Sequence, residues 1–385
     1  MIPYSRQIID SNDIKKVKEV LKSDFITQGP KSELFEKAFS KNIGVNFVTT
    51  FNSATSALHI SCLALGVTKR DIVWTCTNSF VASANCALYC GANVDLIDID
   101  EITYNINILD LKKKLKIAKT LNKLPKVLIP VHFGGFPCDM KNIFKLSKKY
   151  KFKIIEDASH ALGAKYFNNK IGNCKYSDIT VFSFHPVKII TTAEGGAALT
   201  NSKYLNNKLK LLRTHGITRE KKYLNKKKKE SWYYELKELG YNYRMNEIQS
   251  ALGLSQLKKL NKWVFHRNKI AEIYRKELKN LPLVIPTKEK GHYSSYHLFV
   301  VQVLKNKKKI NRDLLYKLLK KKGIQSNIHY IPIHTHPFYK ARGFKNINFP
   351  KAMKYFKNCL SLPMYAGLTE KKQKIIINFL KKTFL

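Results

Sequence analysis

The chain has 385 residues, 44% of them hydrophobic, which is enough for two domains with cores of their own and excludes a disordered protein. The formal net charge is +43, but the lysines run along the whole length, as in LKKKLKIAK from Leu111 and NKKKKESW from Asn225. No zinc-finger spacing, aromatic RNA-binding signature or single basic arm gathers them into a nucleic-acid reader. No apolar stretch approaches a membrane span, the N-terminus lacks a signal pattern, and seven cysteines without CxxC pairs fit reduced thiols, so the expectation is a cytoplasmic protein with neither membrane, nucleic acid nor metal among its partners.

In chain order, the first expected element is a helix over 13–22. Short apolar runs then follow at 45–51, 72–76, 94–97, 127–131, 152–155, 179–184 and 196–200, with helical patterns between them. Such alternation predicts an α/β architecture with a seven-stranded, mostly parallel sheet covered on both faces. In open sheets of this kind the ligand crevice lies beyond the carboxyl ends of the strands. Residues 52–55, Asp157 and Lys188 fall there. The Lys-rich stretch 218–238 reads as an exposed loop, 240–257 as a turn and helix, and 258–280 as a long helix. Beyond Leu281 the pattern becomes that of a smaller α+β domain, with strands at 296–304 and 325–330, helices near 312–322 and 351–360, and a last helix from Thr369. The expected division is a large domain over 1–257 and a small one over 258–385.

The stretch SFHPVKIITTAEGG, residues 183–196, sets Lys188 between Val187 and Ile189, where a solvated ammonium is out of place. An apolar setting lowers a lysine's pKa and makes it nucleophilic. Asp157, in FKIIEDASHALG, ends a strand that is apolar except for Lys153; alone it suits a helix N-cap equally well. With Lys188 it suits pyridoxal 5'-phosphate, which needs a lysine anchor and a carboxylate to keep its pyridine nitrogen protonated. FNSATSALHISCLALG adds a strand that runs into a helix start, with Asn52 and Ser53 as candidate caps, and free amides there favour a dianion. Ser183 can donate its hydroxyl to the same phosphate. Each feature has an ordinary explanation singly; together they are specific.

These blocks resemble the DegT/DnrJ/EryC1/StrS sugar aminotransferases of pyridoxal-phosphate fold type I, over nearly the whole chain. The resemblance runs through FITQGPKSELFEKAF from Phe25, FNSATSALHI from Phe51, SFVASANC from Ser79, EDASHALGAKY from Glu156, SFHPVKIITTAEGGA from Ser183, GYNYRMNEIQSALGLSQL from Gly240 and IHYIPIHTHPFY from Ile328. It implies that Lys188 anchors the cofactor and moves the proton, and that Asp157 pairs with the ring nitrogen. It further implies that Ser183, Ala54 and Thr55 hold the phosphate, that Phe80 lies against the ring face and that His160 sits near the ring hydroxyl. Asn242 would reach the phosphate from the other subunit of a homodimer.

Two departures from the commoner family wording, Ala193 in AEGG and Ala54 in FNSATSAL, resemble the pseudaminic-acid branch. That branch aminates the 4-keto position of a UDP-linked 2-acetamido-2,6-dideoxy sugar, with L-glutamate as the family's usual donor. In it, Tyr4, the turn of Asp24, Phe25, Ile26 and Thr27, and the segment Ile328, His329 and Tyr330 would line the substrate pocket. A GDP- or dTDP-linked keto sugar is the alternative substrate, and a basic nucleic-acid-binding protein is the alternative from another class. Family members with histidine in place of the lysine are dehydratases, and Lys188 argues against that route.

Overall fold

The computed structural model describes residues 1–220, 222, 224–225 and 230–385. Helix α1 (Ser11–Leu21) begins on a capping box in which Asp10 and Asp13 each accept the other's backbone N–H. Helix α2 (Pro30–Ile43), not foreseen as a separate element, starts on a proline that loses nothing in the first turn and stops at Gly44, whose φ is 84°. The alternating region follows: β1 (Phe47–Phe51), α3 (Ala54–Ala64), β2 (Ile72–Cys76), α4 (Ala82–Tyr89), β3 (Asn93–Ile97), α5 (Ile108–Thr120), β4 (Val127–Ile129), α6 (Met140–Tyr150), β5 (Lys153–Asp157), β6 (Ile179–Ser183), β7 (Gly196–Thr200) and α7 (Lys203–Arg213).

The seven strands form one sheet in the order β1-β7-β6-β5-β4-β2-β3. Only β7 runs against its neighbours, antiparallel to both β1 and β6; the other pairings are parallel. Strands β4, β6 and β7 are buried at every residue, which explains why they read as continuous apolar runs rather than alternating ones. The expected seven-stranded, mostly parallel sheet is therefore present, and Phe51, Asp157 and Ser183 end β1, β5 and β6.

After α8 (Glu247–Leu257) and α9 (Leu260–Leu278), a three-stranded antiparallel sheet of β8 (Leu283–Val284), β9 (Phe299–Val303) and β10 (Cys359–Leu362) is joined by α10 (Arg312–Lys321), α11 (Pro350–Asn358) and α12 (Glu370–Phe384). Tyr274, Leu278, Phe299, Val301, Leu319, Leu362, Ile376 and Leu380 build its core, and Ile2 from the chain start joins them. Arg267 of α9 is buried there, its guanidinium donating to the carbonyls of Tyr296, His297 and Met364 at 3.1, 3.3 and 3.0 Å. Burial brings its pKa down to about 9.

Two expectations fail in this half. The helix expected over 351–360 ends at Asn358, and its last two residues open β10, which pairs antiparallel with β9. The strand expected over 325–330 is reduced to a single bridge between Asn327 and Ser361; beyond it His329 bonds the Ser361 hydroxyl and Tyr330 reaches His160. Of the exposed loop expected over 218–238, residues 221, 223 and 226–229 lie outside the described residues; Ile217–Thr218 and Glu235–Leu236 at its ends pair as short antiparallel strands. Among the described residues no helix is long and apolar enough to cross a membrane.

Candidate active site

One glycine ties two of the expected residues, Ala54 and Ser183, to the same strand end. Gly196 opens β7 and pairs in register with Phe51 on one side and Ser183 on the other. A Cβ built on it would meet the Ala54 nitrogen at 2.5 Å and the Ala54 Cα at 2.6 Å, so only glycine lets the start of α3 press this closely against the sheet. The first turn of a helix leaves its N–H groups without intrahelical acceptors. Here Ser53 Oγ accepts the N–H of Ser56 at 3.1 Å, and the Ser53 carbonyl accepts that of Ala57. The amides of Ala54 and Thr55 stand ahead of those.

Lys188 lies in a turn just past β6, its backbone N–H donating to the His185 carbonyl at 2.9 Å. The turn is pinned on both sides: Ser5 Oγ donates to the Val187 carbonyl at 3.1 Å, and Thr191 Oγ1 donates to the Phe184 carbonyl at 3.0 Å. Burial pulls the Lys188 ammonium down from 10.5 to about 8, against the opposing charge of Asp157. Lys114 is also lowered by burial, but it is committed to Asp95 at 2.6 Å and to the Leu96 carbonyl at 2.7 Å. Among the described residues no hydrogen-bonding partner holds the Lys188 amine.

At pH 7 a group titrating near 8 is about one-tenth neutral, against roughly 0.03% for an unperturbed lysine. Only the neutral amine is nucleophilic. The rate at which apo-protein takes up pyridoxal phosphate, followed by stopped-flow absorbance, is expected to rise about tenfold from pH 6 to 7 and to level off above roughly pH 8. A rate still climbing tenfold per unit at pH 9 would show an ordinary lysine.

Asp157 is buried at the end of β5. Its Oδ2 accepts from Ser83 Oγ at 2.6 Å and its Oδ1 from the Ser159 N–H at 3.1 Å. No helix starts at Asp157; residues 158–164 form turns, so the helix-cap alternative is replaced by a local bond to the amide two residues on.

A wall of neutral aromatic groups faces these residues. His160 Nδ1 accepts the Gly134 N–H at 3.2 Å, so its proton sits on Nε2, which donates to the Tyr330 hydroxyl oxygen at 2.9 Å. Burial, aided by the Lys188 charge, holds the His160 imidazole well below the usual histidine range. His297, whose ring lies 4.4 Å from that of His160, is held down in the same way. His329 is brought to about 3 by burial and shares a 2.7 Å hydrogen bond with Ser361 Oγ. Tyr330 is pushed up by burial and by Asp157, so its phenol keeps a proton to offer to the crevice. The Phe80 ring, 57% exposed, stands 6.1 Å from that of Tyr330, and the Tyr4 ring 5.8 Å from that of His329; Ile328 packs between the two cores.

The remaining expected residues stand apart. Asp24, Phe25, Ile26 and Thr27 form an exposed turn, and among the described residues no hydrogen bond or ring contact joins them to Lys188, Asp157 or Tyr330. Asn242 is exposed in a bridge to Thr214, while the next residue, Tyr243, accepts the Asn52 N–H at 2.9 Å. Sequence reasoning passed over Glu247, which is fully buried at the start of α8. Its carboxylate caps α2 by accepting the N–H groups of Lys31 and Ser32, and its own N–H donates to the Ile26 carbonyl at 3.1 Å. It therefore holds the turn in place. Ser83 was passed over as well, because its carboxylate partner lies 74 residues further along the chain.

Ala193 has a φ of 66°, in the left-handed region that favours glycine. The strain of a Cβ there is roughly 1–2 kcal/mol, and glycine's extra unfolded-state freedom offsets about 0.5–1. Ala193→Gly is therefore expected to stabilise the protein by about 0.5–1 kcal/mol and raise Tm by ~1 °C in a thermal melt. A lower Tm would show that this exposed methyl contributes more by packing than it costs in strain.

The model of the DegT/DnrJ/EryC1/StrS aminotransferase family matches residues 7–381. A Campylobacter jejuni protein named UDP-4-amino-4,6-dideoxy-N-acetyl-beta-L-altrosamine transaminase is 39% identical over 377 residues, covering 98% of this chain and 96% of that one. The solved structure of Helicobacter pylori PseC, an aminotransferase involved in the biosynthesis of pseudoaminic acid, superposes with a TM-score of 0.89 at 35% identity, covering 100% of this chain and 99% of that one. The pyridoxal-phosphate form of the putative sugar aminotransferase Spr1654 from Streptococcus pneumoniae gives 0.89 at 29% identity, with the same coverage. With the sheet, the anchored lysine turn and the buried carboxylate in the family's order, the chain belongs to the DegT/DnrJ/EryC1/StrS aminotransferase family.

Proposed function

We propose that this enzyme moves the amino group of L-glutamate to the 4-keto carbon of a UDP-linked 2-acetamido-2,6-dideoxy-hexos-4-ulose, giving UDP-4-amino-4,6-dideoxy-N-acetyl-beta-L-altrosamine for pseudaminic acid. One observation carries the chemistry. A lysine amine lowered to about 8 and a buried carboxylate lie at the same sheet edge as a helix start pressed against Gly196. The likeness to the Campylobacter transaminase supports the choice of sugar.

Pyridoxal 5'-phosphate fits the groups present, since the cradle at Gly196 offers amides and a hydroxyl to a dianion and Asp157 offers a carboxylate to a ring cation. When bound, it supplies an electrophilic carbon and an electron sink for charge developing at an amino acid Cα. Lys188 would anchor it and would carry the proton released from the donor's Cα, a task suited to an amine that titrates near working pH. Asp157 keeps the ring nitrogen protonated. The Ala54 and Thr55 amides and Ser183 Oγ would hold the phosphate, Phe80 would cover the ring face, and neutral His160 would stand by the ring hydroxyl. Asn242 reaches across to the phosphate of the partner subunit's site, which makes the working enzyme a homodimer.

Tyr4, the clasped turn of Asp24, Phe25, Ile26 and Thr27, and Ile328, His329 and Tyr330 line the sugar's side of the crevice. Residues 1–257 carry the cofactor and 258–385 form the smaller domain beside it. The neutral histidine wall leaves the uncharged sugar undisturbed, while the positive field of the chain draws in the diphosphate. The enzyme acts in the cytoplasm.

The deciding experiment supplies glutamate with UDP-, GDP- and dTDP-linked 4-keto sugars in turn and identifies the product by NMR. The expected product is the UDP sugar aminated at C4. Preference for a GDP or dTDP sugar, or amination at C3, would sink the assignment of this substrate.

A further inference from the structure

Ser83 lies in α4, fully buried, and its Oγ reaches across 74 residues of chain to Asp157 Oδ2 at 2.6 Å. A hydroxyl has one proton and an ionised carboxylate only accepts, so that proton is committed to Asp157. The 2.7 Å contact between Ser79 Oγ and Ser83 Oγ must then run from Ser79 to Ser83. The result is a directed relay, Ser79 to Ser83 to Asp157. The other carboxylate oxygen is held by the Ser159 N–H at 3.1 Å.

The character of these donors matters. Each carboxylate oxygen receives one neutral donor, and among the described residues no Arg, Lys or His hydrogen-bonds either of them. A charged donor would bind the ionised carboxylate about twice as strongly and weaken its hold on a ring proton. With no donor at all, the carboxylate would grow more basic and lose a fixed orientation. Ser83 sits between these limits. The Ser83 N–H donates to the carbonyl of Phe80 at 3.2 Å, so the ring-face aromatic and the carboxylate's donor are neighbours in one short segment.

We propose that Ser83 is a positioning residue that fixes the orientation and basicity of Asp157, and through it the protonation of the cofactor's ring nitrogen. This rests on the pairing of Asp157 with that nitrogen. The Ser83 hydroxyl bonds two side chains, whereas the hydroxyl of a serine that only started α4 would accept from the first amides of the helix.

The test compares wild type, Ser83→Ala, Ser83→Thr and Asp157→Asn, each loaded with pyridoxal phosphate, by titrating the visible absorbance of the bound cofactor against pH. Ser83→Ala is expected to move the midpoint by about half a pH unit or more, and Ser83→Thr, which keeps the hydroxyl, to return it to the wild-type value. If Ser83→Ala does not fold, Ser83→Cys, with a weaker donor, is expected to shift the midpoint in its place. A midpoint unchanged within roughly 0.1 unit in the Ala or Cys variant, with Asp157→Asn shifted, overturns the role of Ser83 and leaves the Asp157 pairing standing. A failure of Thr to restore the midpoint also overturns it. An unshifted Asp157→Asn overturns the pairing itself, and the Ser83 role with it.

Discussion

Lys188→Ala is expected to lower amino transfer from glutamate to the keto sugar nucleotide by roughly four orders of magnitude or more, since general acid–base transfer alone contributes ~10²–10⁴ and the covalent anchor is lost as well. Lys188→Arg should fail almost as badly. A guanidinium keeps the positive charge but never gives up its proton in a protein, so the variant separates a need for charge from a need for a titrating amine. Initial rates of 2-oxoglutarate formation measure the loss. Borohydride reduction followed by peptide mass mapping supplies a readout independent of turnover: wild type should carry the cofactor's mass on the Lys188 peptide and the variants should not. Label on Lys114 instead would move the site, although its pairing with Asp95 makes it a poor nucleophile. Substantial turnover by Lys188→Ala would remove the proposed mechanism altogether.

The elements that position Lys188 were legible because they are local or fully buried. Strands such as β4, β6 and β7 announce themselves as apolar runs, since helices cover both faces of the sheet and no polar alternation is imposed. Residues that follow such strands sit at the crevice by topology, which is why Lys188 and Asp157 could be singled out from 70 basic and 27 acidic residues. Strand β10 was not legible. Its first two residues continue the pattern of α11, and the strand forms only through pairing with β9, some sixty residues earlier. The segment 325–330 failed in the opposite sense: a strand-like pattern there serves side chains, with His329 bonded to Ser361 and Tyr330 to His160. Ser83 and Glu247 stayed hidden because a polar residue near a helix start looks like an ordinary cap until its distant partner is known.

Asp157→Asn is the second large effect, and it separates electrostatics from shape. The amide is nearly isosteric and can keep one acceptor for the Ser159 N–H, while the Ser83 hydroxyl can rotate to accept from the new NH₂ group, so the buried site should still fold. What disappears is the negative charge opposite the ring nitrogen. Removing one partner of a buried, hydrogen-bonded charge pair costs about 3–5 kcal/mol, which is roughly two to four orders of magnitude in kcat if the pair is needed in the proton-transfer step. The fall should appear in kcat at saturating cofactor, not only in cofactor affinity, because the carboxylate acts on charge that develops during reaction. Steady-state kinetics at several pyridoxal phosphate concentrations distinguish the two. A variant that regains full kcat once saturated would reduce Asp157 to its local bond with Ser159, a turn-forming aspartate of the ordinary kind. A variant that stays slow when saturated, with an unchanged melting temperature, would make the charge itself the catalytic contribution.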